Sequence, residues 1–574
     1  MDLQQLQFEL EGDGVLVLDR LRHWAQTSGQ HPCIIYGETG RSISYQEFND
    51  LTDSVAGNLA RLGIGKGDFV SVYMRNQFNA IIAMFGIWKA GAVFAPINFS
   101  LTGRSLRYQL DDTKPRLLLA ERALVPALNE IWVGDQVVEH VVIHDPLPTD
   151  HDYQEETVSF KHETSASSWA ALLETAKPPE IRLEFDDHAN IIYTSGTTGP
   201  AKGVVQPHRW MNQYTFMFRQ LLDQDDVVYN DLPMHHVGGA VFNIVRAIWA
   251  GSTVACWDRF SPNQFWNRIK EVNGTSAVLV DTMISWLAKI EPKIDDNCNT
   301  LRKVHMQPLP ARHHEISRRF GFDFVSCGFG QTESGLSCYA IIEETDASCE
   351  TPAEFQRGRS RAEIREMARK HGVPLLSYDQ APTVGAGFMG QQSLFMEAAI
   401  LDERDQQCPP DVPGQLAFRP RLPGLIMREY LGKPEATAKA FSNLWFHTGD
   451  SARRTEEGHF YFMDRMGDRI RVRGENTSSF HVEDLINQCP GIAMSAAFGV
   501  PAQEGYEDDI AVFVVLHPGQ NADEAFIDQW ALENMPKFMR PRHIRIVSEI
   551  PRTLTQKVEK FKLKQMLIKE LGLG

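Results

Sequence analysis

Residues 193–203 have the sequence Tyr193-Thr-Ser-Gly-Thr-Thr-Gly-Pro-Ala-Lys-Gly203 and directly follow two isoleucines. Three glycines allow tight turns and a close backbone approach to an anion, four hydroxyl side chains offer donors, and one lysine adds a movable positive charge. The G-x-x-x-x-G-K spacing of a Walker A loop is absent. The pattern predicts a strand that leads into a triphosphate-binding loop, and the alternative is a Gly/Thr surface turn. The candidate binding residues are Thr194, Ser195, Gly196, Thr197, Thr198, Gly199 and Lys202.

The composition is that of an ordinary globular protein, with 574 residues, 43% hydrophobic and 23% charged. This length allows several domains or one large domain with a small one. A net charge of -17 argues against a general nucleic-acid or anionic-membrane binder, although a local basic pocket for phosphate remains open.

Cysteine usage and the N-terminus indicate a cytoplasmic protein. The eight cysteines are scattered, with no C-x-x-C pair and no zinc spacing, which favours reduced thiols. The N-terminus lacks the basic and apolar regions of a signal peptide. The apolar segments 80–97 and 240–256 are interrupted by Lys89 and Arg246 and are too short to span a bilayer, so we expect buried helix–strand pairs.

Alternating strand and helix patterns predict α/β layers. Ser44-Tyr-Gln-Glu47 is a capping box, and the apolar spacing after it predicts a helix over 45–62. Strands over 69–73 and 92–97 on either side of a helix over 78–89 predict a βαβ unit. Short strands and helices of mixed type follow residue 465, where we place a domain boundary.

Two other segments have less specific patterns. Residues 349–375 are polar, contain a predicted helix over 361–370, and are interpreted as a solvated surface insertion. The stretch Gly385-Ala-Gly-Phe-Met-Gly390 spells G-x-G-x-x-G, but it lacks the preceding buried strand and the following amphipathic helix of a dinucleotide site. We expect a turn there, followed by a strand over 393–401.

Four further motifs follow the loop in a fixed order. They are Gly328-Phe-Gly-Gln-Thr-Glu333, Phe446-His-Thr-Gly-Asp450, Asp464-Arg465 with Gly474-Glu-Asn476, and Pro551-Arg-Thr-Leu-Thr-Gln-Lys557. With residues 193–203, this set resembles the adenylate-forming superfamily of acyl-CoA synthetases, luciferases and peptide-synthetase adenylation domains. The resemblance covers about residues 30–565. The details look closest to crotonobetaine/carnitine-CoA ligase-like acyl-CoA ligases.

The resemblance implies a large multi-layer α/β N-terminal domain over 1–465, which binds AMP and the acyl group. It also implies a small mobile α+β domain over 466–574. The implied activity is that of an AMP-forming carboxylic acid:CoA ligase that uses ATP, Mg²⁺ and coenzyme A. A small-molecule acid would first form an acyl-adenylate and then a thioester. Three alternatives stay open: an enzyme that loads a carrier protein, a monooxygenase of luciferase type, and a nucleotide-binding regulator without turnover. The oligomeric state is also open, a homodimer included.

The same resemblance assigns nucleotide contacts. Glu333 matches the family's magnesium carboxylate, Thr332 the donor to the α-phosphate, and Phe329 the ring that stacks on adenine. Asp450 matches the acceptor of the ribose hydroxyls, and Arg465 a donor to the same sugar.

The catalytic set implied by the family is Lys557, Glu333, Thr198 and His236. Lys557 matches the lysine that contacts the attacking carboxylate and the α-phosphate, and His236 matches the aromatic gate between acyl pocket and thiol tunnel. Gly467 matches the interdomain hinge, and Gly474 and Glu475 the CoA tunnel. The implied acyl pocket consists of His236, Val237, Phe242, Asn243, Met283 and Leu336. Two stretches depart from the family pattern, Met306-Gln307-Pro308 and Gln556.

Overall fold

A computed structural model of the chain describes ten ranges of residues. The described ranges are 15–132, 138–161, 166–194, 201–346, 352–465, 470–472, 475–477, 479–502, 508–552 and 558–572.

The described strands, in chain order, are β1 Pro32–Tyr36, β2 Arg41–Ser44, β3 Phe69–Tyr73, β4 Val93–Pro96, β5 Leu117–Glu121, β6 His140–His144, β7 Ala166–Ser168, β8 His188–Thr194, β9 Lys202–Pro207, β10 Val227–Asn230, β11 Thr253–Cys256, β12 Ser276–Val280, β13 Lys303–Gln307, β14 Phe324–Gln331, β15 Gly335–Glu343, β16 Leu375–Leu376, β17 Phe388–Gln392, β18 Met396–Leu401, β19 Gly414–Pro420, β20 Glu429–Tyr430, β21 Phe446–Arg454, β22 Phe460–Arg465, β23 Ile470–Val472, β24 Glu475–Thr477, β25 Ile492–Pro501, β26 Asp508–Leu516 and β27 His543–Ile546.

The described α-helices are α1 Val17–Thr27, α2 Tyr45–Arg61, α3 Gln77–Lys89, α4 Gly103–Thr113, α5 Val125–Ile131, α6 Trp169–Leu173, α7 His208–Arg219, α8 Ile244–Ala250, α9 Phe265–Val272, α10 Asp281–Ala288, α11 His313–Phe320, α12 Arg361–His371, α13 Pro434–Ala440, α14 Ser479–Ile486, α15 Glu524–Asn534 and α16 Lys560–Leu571. A π-helix, Gly238–Asn243, leads directly into α8.

The first large sheet has eight strands in the order β20-β9-β8-β4-β3-β5-β6-β7. The six strands from β8 to β7 pair in parallel, whereas β9 and β20 add an antiparallel edge. The predicted βαβ unit is confirmed as β3, α3 and β4. The capping box is also confirmed, because the Ser44 side chain accepts from the backbone N–H of Glu47 at 3.2 Å at the start of α2.

The second large sheet has fourteen strands, in the order β18-β19-β21-β22-β17-β15-β14-β13-β12-β10-β11-β1-β2, with β16 beside β15. Strands β10 to β14 form a parallel region, and the strands from β15 to β18 along this order are antiparallel. The largest core cluster joins side chains of both sheets with those of α2, α3, α7 and α8. These layers confirm the predicted α/β fold.

The C-terminal part has its own small sheet, in the order β25-β26-β27. One face packs against α14 and α15, through Val512 and Ile527 among others, and the opposite face packs against α16 through Phe513 and Leu567. Alternate residues of β26 therefore serve two cores, as the two faces of a strand require. This arrangement confirms the predicted α+β character of the region.

The two apolar segments that the sequence assigns to helix–strand pairs are buried, and their charges remain inside. Lys89 is 4% exposed and Arg246 is 2% exposed. The Lys89 ammonium pairs with Asp53 at 2.6 Å. Among the described residues, no helix combines the length and the apolar character that a membrane span needs.

The helix predicted over 361–370 is confirmed as α12, but its interpretation as part of a solvated insertion is wrong for one face. Ile364, Met367 and Ala368 are buried. Arg361 Nη2 pairs with Asp323 at 2.7 Å and Arg365 Nη2 with Glu343 at 2.6 Å, so α12 is fixed to the end of the large sheet. These apolar residues are spaced three and four positions apart, which indicates a buried helix face. The many charged residues of the segment obscured that signal.

The G-x-G-x-x-G stretch begins as a turn and enters β17 at Phe388, and the strand predicted over 393–401 is confirmed as β18, Met396–Leu401. Its last two glycines have positive φ, +73° at Gly387 and +77° at Gly390. A Cβ at Gly390 would lie 2.1 Å from the carbonyl oxygen of Tyr339, whereas one at Gly385 would have nothing within 4 Å. Glycine therefore serves close strand packing here.

We predict that Gly390→Ala lowers the free energy of unfolding by at least about 1–2 kcal/mol, the penalty of the left-handed backbone alone. Gly385→Ala is the matched control and should be neutral or stabilising by about 0.4–1 kcal/mol. Urea denaturation followed by tryptophan fluorescence measures both. Equal stability of the two variants would contradict this account of Gly390.

Candidate active site

The two ends of the predicted phosphate loop are held side by side by the pairing of β8 with β9, in which Thr194 lies opposite Lys202. Tyr193 donates to Asp112 Oδ2 at 2.9 Å, and Tyr108 donates to the carbonyl oxygen of Ala201 at 2.8 Å. Helix α4 thus supports both flanks of the loop. The predicted residues Ser195, Gly196, Thr197, Thr198 and Gly199 lie outside the described residues.

Strand β9 connects this loop to the Glu333 motif. Gln206 Nε2 donates to the carbonyl oxygen of Thr332 at 2.7 Å, across 126 residues of sequence. Strand β20 lies beside β9, and its Tyr430 donates to Glu333 Oε1 at 3.0 Å. The ammonium of Lys202 lies over the ring of the same tyrosine, 4.3 Å from its centroid. One aromatic residue therefore contacts both the loop lysine and the predicted metal carboxylate.

Burial, together with the negative charge and hydrogen bond of Glu333, raises the pKa of Tyr430 far above its usual range. The phenol therefore stays protonated at neutral pH and donates to the carboxylate. A carboxylate oriented in this way suits Mg²⁺, which takes one or two carboxylates and completes its shell with phosphate oxygens and water. Glu333 is the described residue that would hold the ion.

The ribose candidate Asp450 is buried at 4% exposure on β21. Gln331 Nε2, at the end of β14, donates to Asp450 Oδ2 at 2.5 Å and to the carbonyl oxygen of Thr448 at 3.1 Å. The backbone of Asp450 pairs with that of Arg465 on β22. The two predicted ribose residues are therefore adjacent along the sheet, and Asp450 is tied to the strand that leads to Glu333.

Phe329, the predicted adenine-stacking residue, is 6% exposed, and its ring centroid lies 5.6 Å from that of Phe418. Of the departing triplet, Met306 is fully buried, and Gln307 donates to the carbonyl oxygen of Gly330 at 3.4 Å. The triplet thus borders the Glu333 motif, as its position in the family implies.

His236 is half-buried at the start of the π-helix, with its ring 4.5 Å from that of His235. Burial lowers the pKa of His235, so that imidazole is neutral at physiological pH. In the part of the chain that the structure describes, no cluster of three or more His, Cys, Asp or Glu residues fits a metal ion.

Two of the predicted acyl-pocket residues, Phe242 and Leu336, contact neighbouring side chains of α7. Phe242 is 5.4 Å from Tyr214 between ring centroids, and Tyr214 in turn lies against Gly330, where a Cβ would be 3.4 Å from its ring. Gln213, the residue before Tyr214 on α7, donates to the carbonyl oxygen of Leu336 and accepts from its backbone N–H. Asn243 follows Phe242, and Val237 packs on the same core. Met283 belongs to the other large cluster, with Leu279 and Met306.

Sequence reasoning did not identify Tyr430, Gln206, Gln331, Tyr214 or His305 as site residues. Gln331 lies within the Glu333 motif but was given no role there, and the other four belong to no motif. Each reaches the site through strand or helix contacts that are remote in sequence. The side chains of Arg465 and Glu475 are outside the described set, as are Gly467, Gly474 and Lys557 as whole residues.

Comparison with known proteins places this geometry in a family. Residues 21–431 match the family model of the AMP-binding enzymes, and residues 481–557 match that of the AMP-binding enzyme C-terminal domain. A crotonobetaine/carnitine–CoA ligase of Salmonella paratyphi A is 29% identical over 534 residues, which cover 91% of this chain and 93% of that protein. The same ligase of Salmonella arizonae is 29% identical over 531 residues, with coverage of 91% and 93%.

Solved structures share the fold. The anthranilate CoA ligase AuaEII in complex with anthranoyl-AMP superposes with a TM-score of 0.77 at 20% identity, covering 96% of this chain and 97% of its own. ATP-bound MatB from Rhodopseudomonas palustris gives a TM-score of 0.74 at 21% identity, covering 96% and 99%. At these identities the likeness concerns the fold.

We predict that Tyr430→Phe raises the KM for Mg²⁺ in the nucleotide reaction about 10- to 100-fold, the range for one lost hydrogen bond to a charged carboxylate. The variant keeps the aromatic ring below Lys202, so a change in KM reports the loss of the Tyr430 hydroxyl. Turnover measured against free Mg²⁺ tests this expectation.

The matched control is Tyr229→Phe, because buried Tyr229 also donates to a carboxylate, Asp231 Oδ2, at 2.7 Å. It should lower stability and leave the Mg²⁺ dependence unchanged. An unchanged KM in Tyr430→Phe, or the same increase in both variants, would remove Tyr430 from the metal site.

Proposed function

The chain belongs to the AMP-binding enzyme family, and we propose on this basis that it is an AMP-forming carboxylic acid:CoA ligase. The observation that carries the proposal is the convergence of Lys202, Glu333 and Asp450 near the end of β14. Lys202 and Glu333 meet at Tyr430, and Asp450 is tied to Gln331, two residues before Glu333. The named relatives, which are CoA ligases, favour coenzyme A as the thiol.

In the proposed first half-reaction, an oxygen of the substrate carboxylate attacks the α-phosphorus of ATP, and the bond to pyrophosphate breaks. Two anions must approach one another, so positive charge directed at the reacting oxygens stabilises the transition state. Among the described residues, we propose that Lys202 supplies such a charge, because it lies opposite Thr194 at the end of the predicted phosphate loop. Thr198, Thr332 and Lys557 are proposed to contact the phosphates, and Mg²⁺ held by Glu333 would neutralise charge on ATP.

In the proposed second half-reaction, the CoA thiolate attacks the acyl carbonyl carbon and AMP leaves. The C-terminal domain, from residue 466, is proposed to rotate about Gly467 so that Gly474 and Glu475 replace Lys557 near the acyl group. At the junction, Asp464 Oδ2 accepts the backbone N–H of Ser479 at 2.6 Å, a contact that a rotation would change. We further place the protein in the cytoplasm, since the seven described cysteines are free thiols.

The experiment that tests the function is acid-dependent exchange of labelled pyrophosphate into ATP without CoA. We expect exchange, because adenylation is a complete and reversible half-reaction, and AMP should be the nucleotide product once CoA is added. Products of ADP and phosphate would contradict the proposal. Transfer to a phosphopantetheinylated carrier protein but not to CoA would instead identify a carrier-loading enzyme.

We predict that Lys557→Ala lowers the adenylation rate about 10²- to 10³-fold, the typical loss for one preorganised electrostatic contact. Thioester formation from supplied acyl-adenylate should remain largely intact, because the lysine is proposed to act only on the first step. Single-turnover assays of each half-reaction measure this difference.

The matched control is Lys562→Ala, because Lys562 is exposed and pairs only with neighbouring Glu559 at 2.5 Å among the ion pairs of the described residues. It should change neither step. A Lys557→Ala variant that loses both half-reactions equally would show that the lysine has a structural role.

A further inference from the structure

Arg246 is a buried cation held by neutral partners. Its side chain is 2% exposed, and its Nη2 donates to Asn243 Oδ1 at 3.0 Å and to Ser276 Oγ at 3.2 Å. The Nε–H has no hydrogen-bond partner within the described chain. The nearby carboxylate of Asp226 is taken by Lys303, at 2.5 Å, and by the hydroxyl of Thr275 at 2.6 Å.

This arrangement is unfavourable for a guanidinium without a ligand. Burial lowers the pKa of Arg246 to about 9, and a buried charge normally requires a hydrogen-bonded counter-ion. The buried Lys89 and Lys303 each have such a carboxylate, at 2.6 and 2.5 Å. Arg246 therefore differs from Lys89 and Lys303 in lacking a paired carboxylate, the component that a ligand could supply. Among the described ion pairs Arg302 lacks one as well, but its guanidinium bonds two backbone carbonyl oxygens instead.

The position of Arg246 connects it with the acyl pocket. Its guanidinium carbon lies 4.8 Å from the ring centroid of Phe242, and Phe242 contacts Tyr214, which lies against Gly330 of the Glu333 motif. The pocket residue Asn243 is one helical turn before Arg246 and binds its Nη2. The His305 ring, 5.0 Å from that of Phe242, adds a second polar side chain to this wall.

We propose that the acid activated by this enzyme carries a second carboxylate at the far end of its acyl part, and that Arg246 binds this group. The inference rests on the proposed function, since it names the substrate class of that reaction. Asn243 orients the guanidinium, and the unpartnered Nε–H provides a donor for the incoming anion. A simple fatty acid would leave that donor unpaired in a dry pocket.

The length of the acyl chain is the variable of the test. An extended chain advances roughly 1.2 Å per bond, so linear dicarboxylic acids of roughly four to twelve carbons sample a wide range of separations between the two carboxylates.

The test compares each linear dicarboxylic acid with the monocarboxylic acid of equal length in acid-dependent pyrophosphate–ATP exchange, using the full chain. For the best length, we expect the wild-type kcat/KM to be at least about tenfold higher for the diacid, the smallest preference expected from one charge-assisted hydrogen bond. Arg246→Met should lower kcat/KM for that diacid about 10- to 100-fold, mainly through KM. The variant should leave the monoacid nearly unchanged, and Arg246→Lys should restore part of the preference.

The matched control is Arg302→Met. Arg302 is also buried, at 4% exposure, with an unpartnered Nε–H, but it bonds the carbonyl oxygens of Asn299 and Gly321 near the start of β13. It should lower stability without changing the preference for diacids. The wild-type comparison needs no variant, so misfolding of Arg246→Met leaves the test intact.

Two results would overturn the inference: a wild-type preference for monoacids at every length, or an equal loss for both acids in Arg246→Met. Exchange with monoacids alone would refute the inference that the substrate carries a second carboxylate, and the proposed ligase function would still stand. Absence of exchange with every acid of the panel would contradict the proposed function itself, and the inference with it.

Discussion

The antiparallel pairing of β8 with β9 is the constraint on which the arrangement of the site depends. It sets Thr194 opposite Lys202 and thereby closes the loop between them. The same strand β9 fixes the Thr332 carbonyl through Gln206, and its neighbour β20 carries Tyr430 to Glu333. A phosphate-binding loop and a metal-binding carboxylate must keep a fixed separation if both are to contact one triphosphate. Backbone pairing at a sheet edge provides that separation without charged side chains.

The buried charges of the chain separate into two kinds. Lys303 and Asp226, and Lys89 and Asp53, form close pairs whose effect is confined to the fold. Such pairs fix local geometry more than they add stability, because desolvation offsets much of their attraction. Arg246 lacks that pairing and lies beside the wall proposed to bind substrate. Arg302 also has no carboxylate among the described ion pairs, but it bonds two backbone carbonyl oxygens near the start of β13. An incomplete electrostatic arrangement in a folded interior is therefore informative about ligands where it adjoins a candidate pocket.

Local signals predicted the local structure. The capping box at Ser44 and the periodicity after it were sufficient for α2, and apolar runs were sufficient for β3, because these elements depend on neighbours in sequence. The strand β17, Phe388–Gln392, was not predictable, since pairing with remote Tyr339 decides it. Tyr430 was missed for the same reason, because 97 residues separate it from Glu333. The motifs identified the candidate chemistry, whereas contacts between residues remote in sequence determined which side chains support the site.

Contacts within the C-terminal part indicate how the proposed rotation would carry the segment that precedes α16. Lys560, just after the segment 553–557, pairs with buried Glu483 at 2.9 Å and also bonds the Ser479 hydroxyl. Burial raises the pKa of Glu483 to about 7, and the Lys560 ammonium opposes that shift, so the pair stabilises the charged carboxylate. These contacts lie within α14 and α16, whereas the Asp464 contact to Ser479 crosses the proposed hinge. A rotation at residues 466–469 would exchange that contact and those of the Lys289 ammonium with the carbonyl oxygens of Ile492 and Ala493, and it would carry α14, α16 and the lysine segment together.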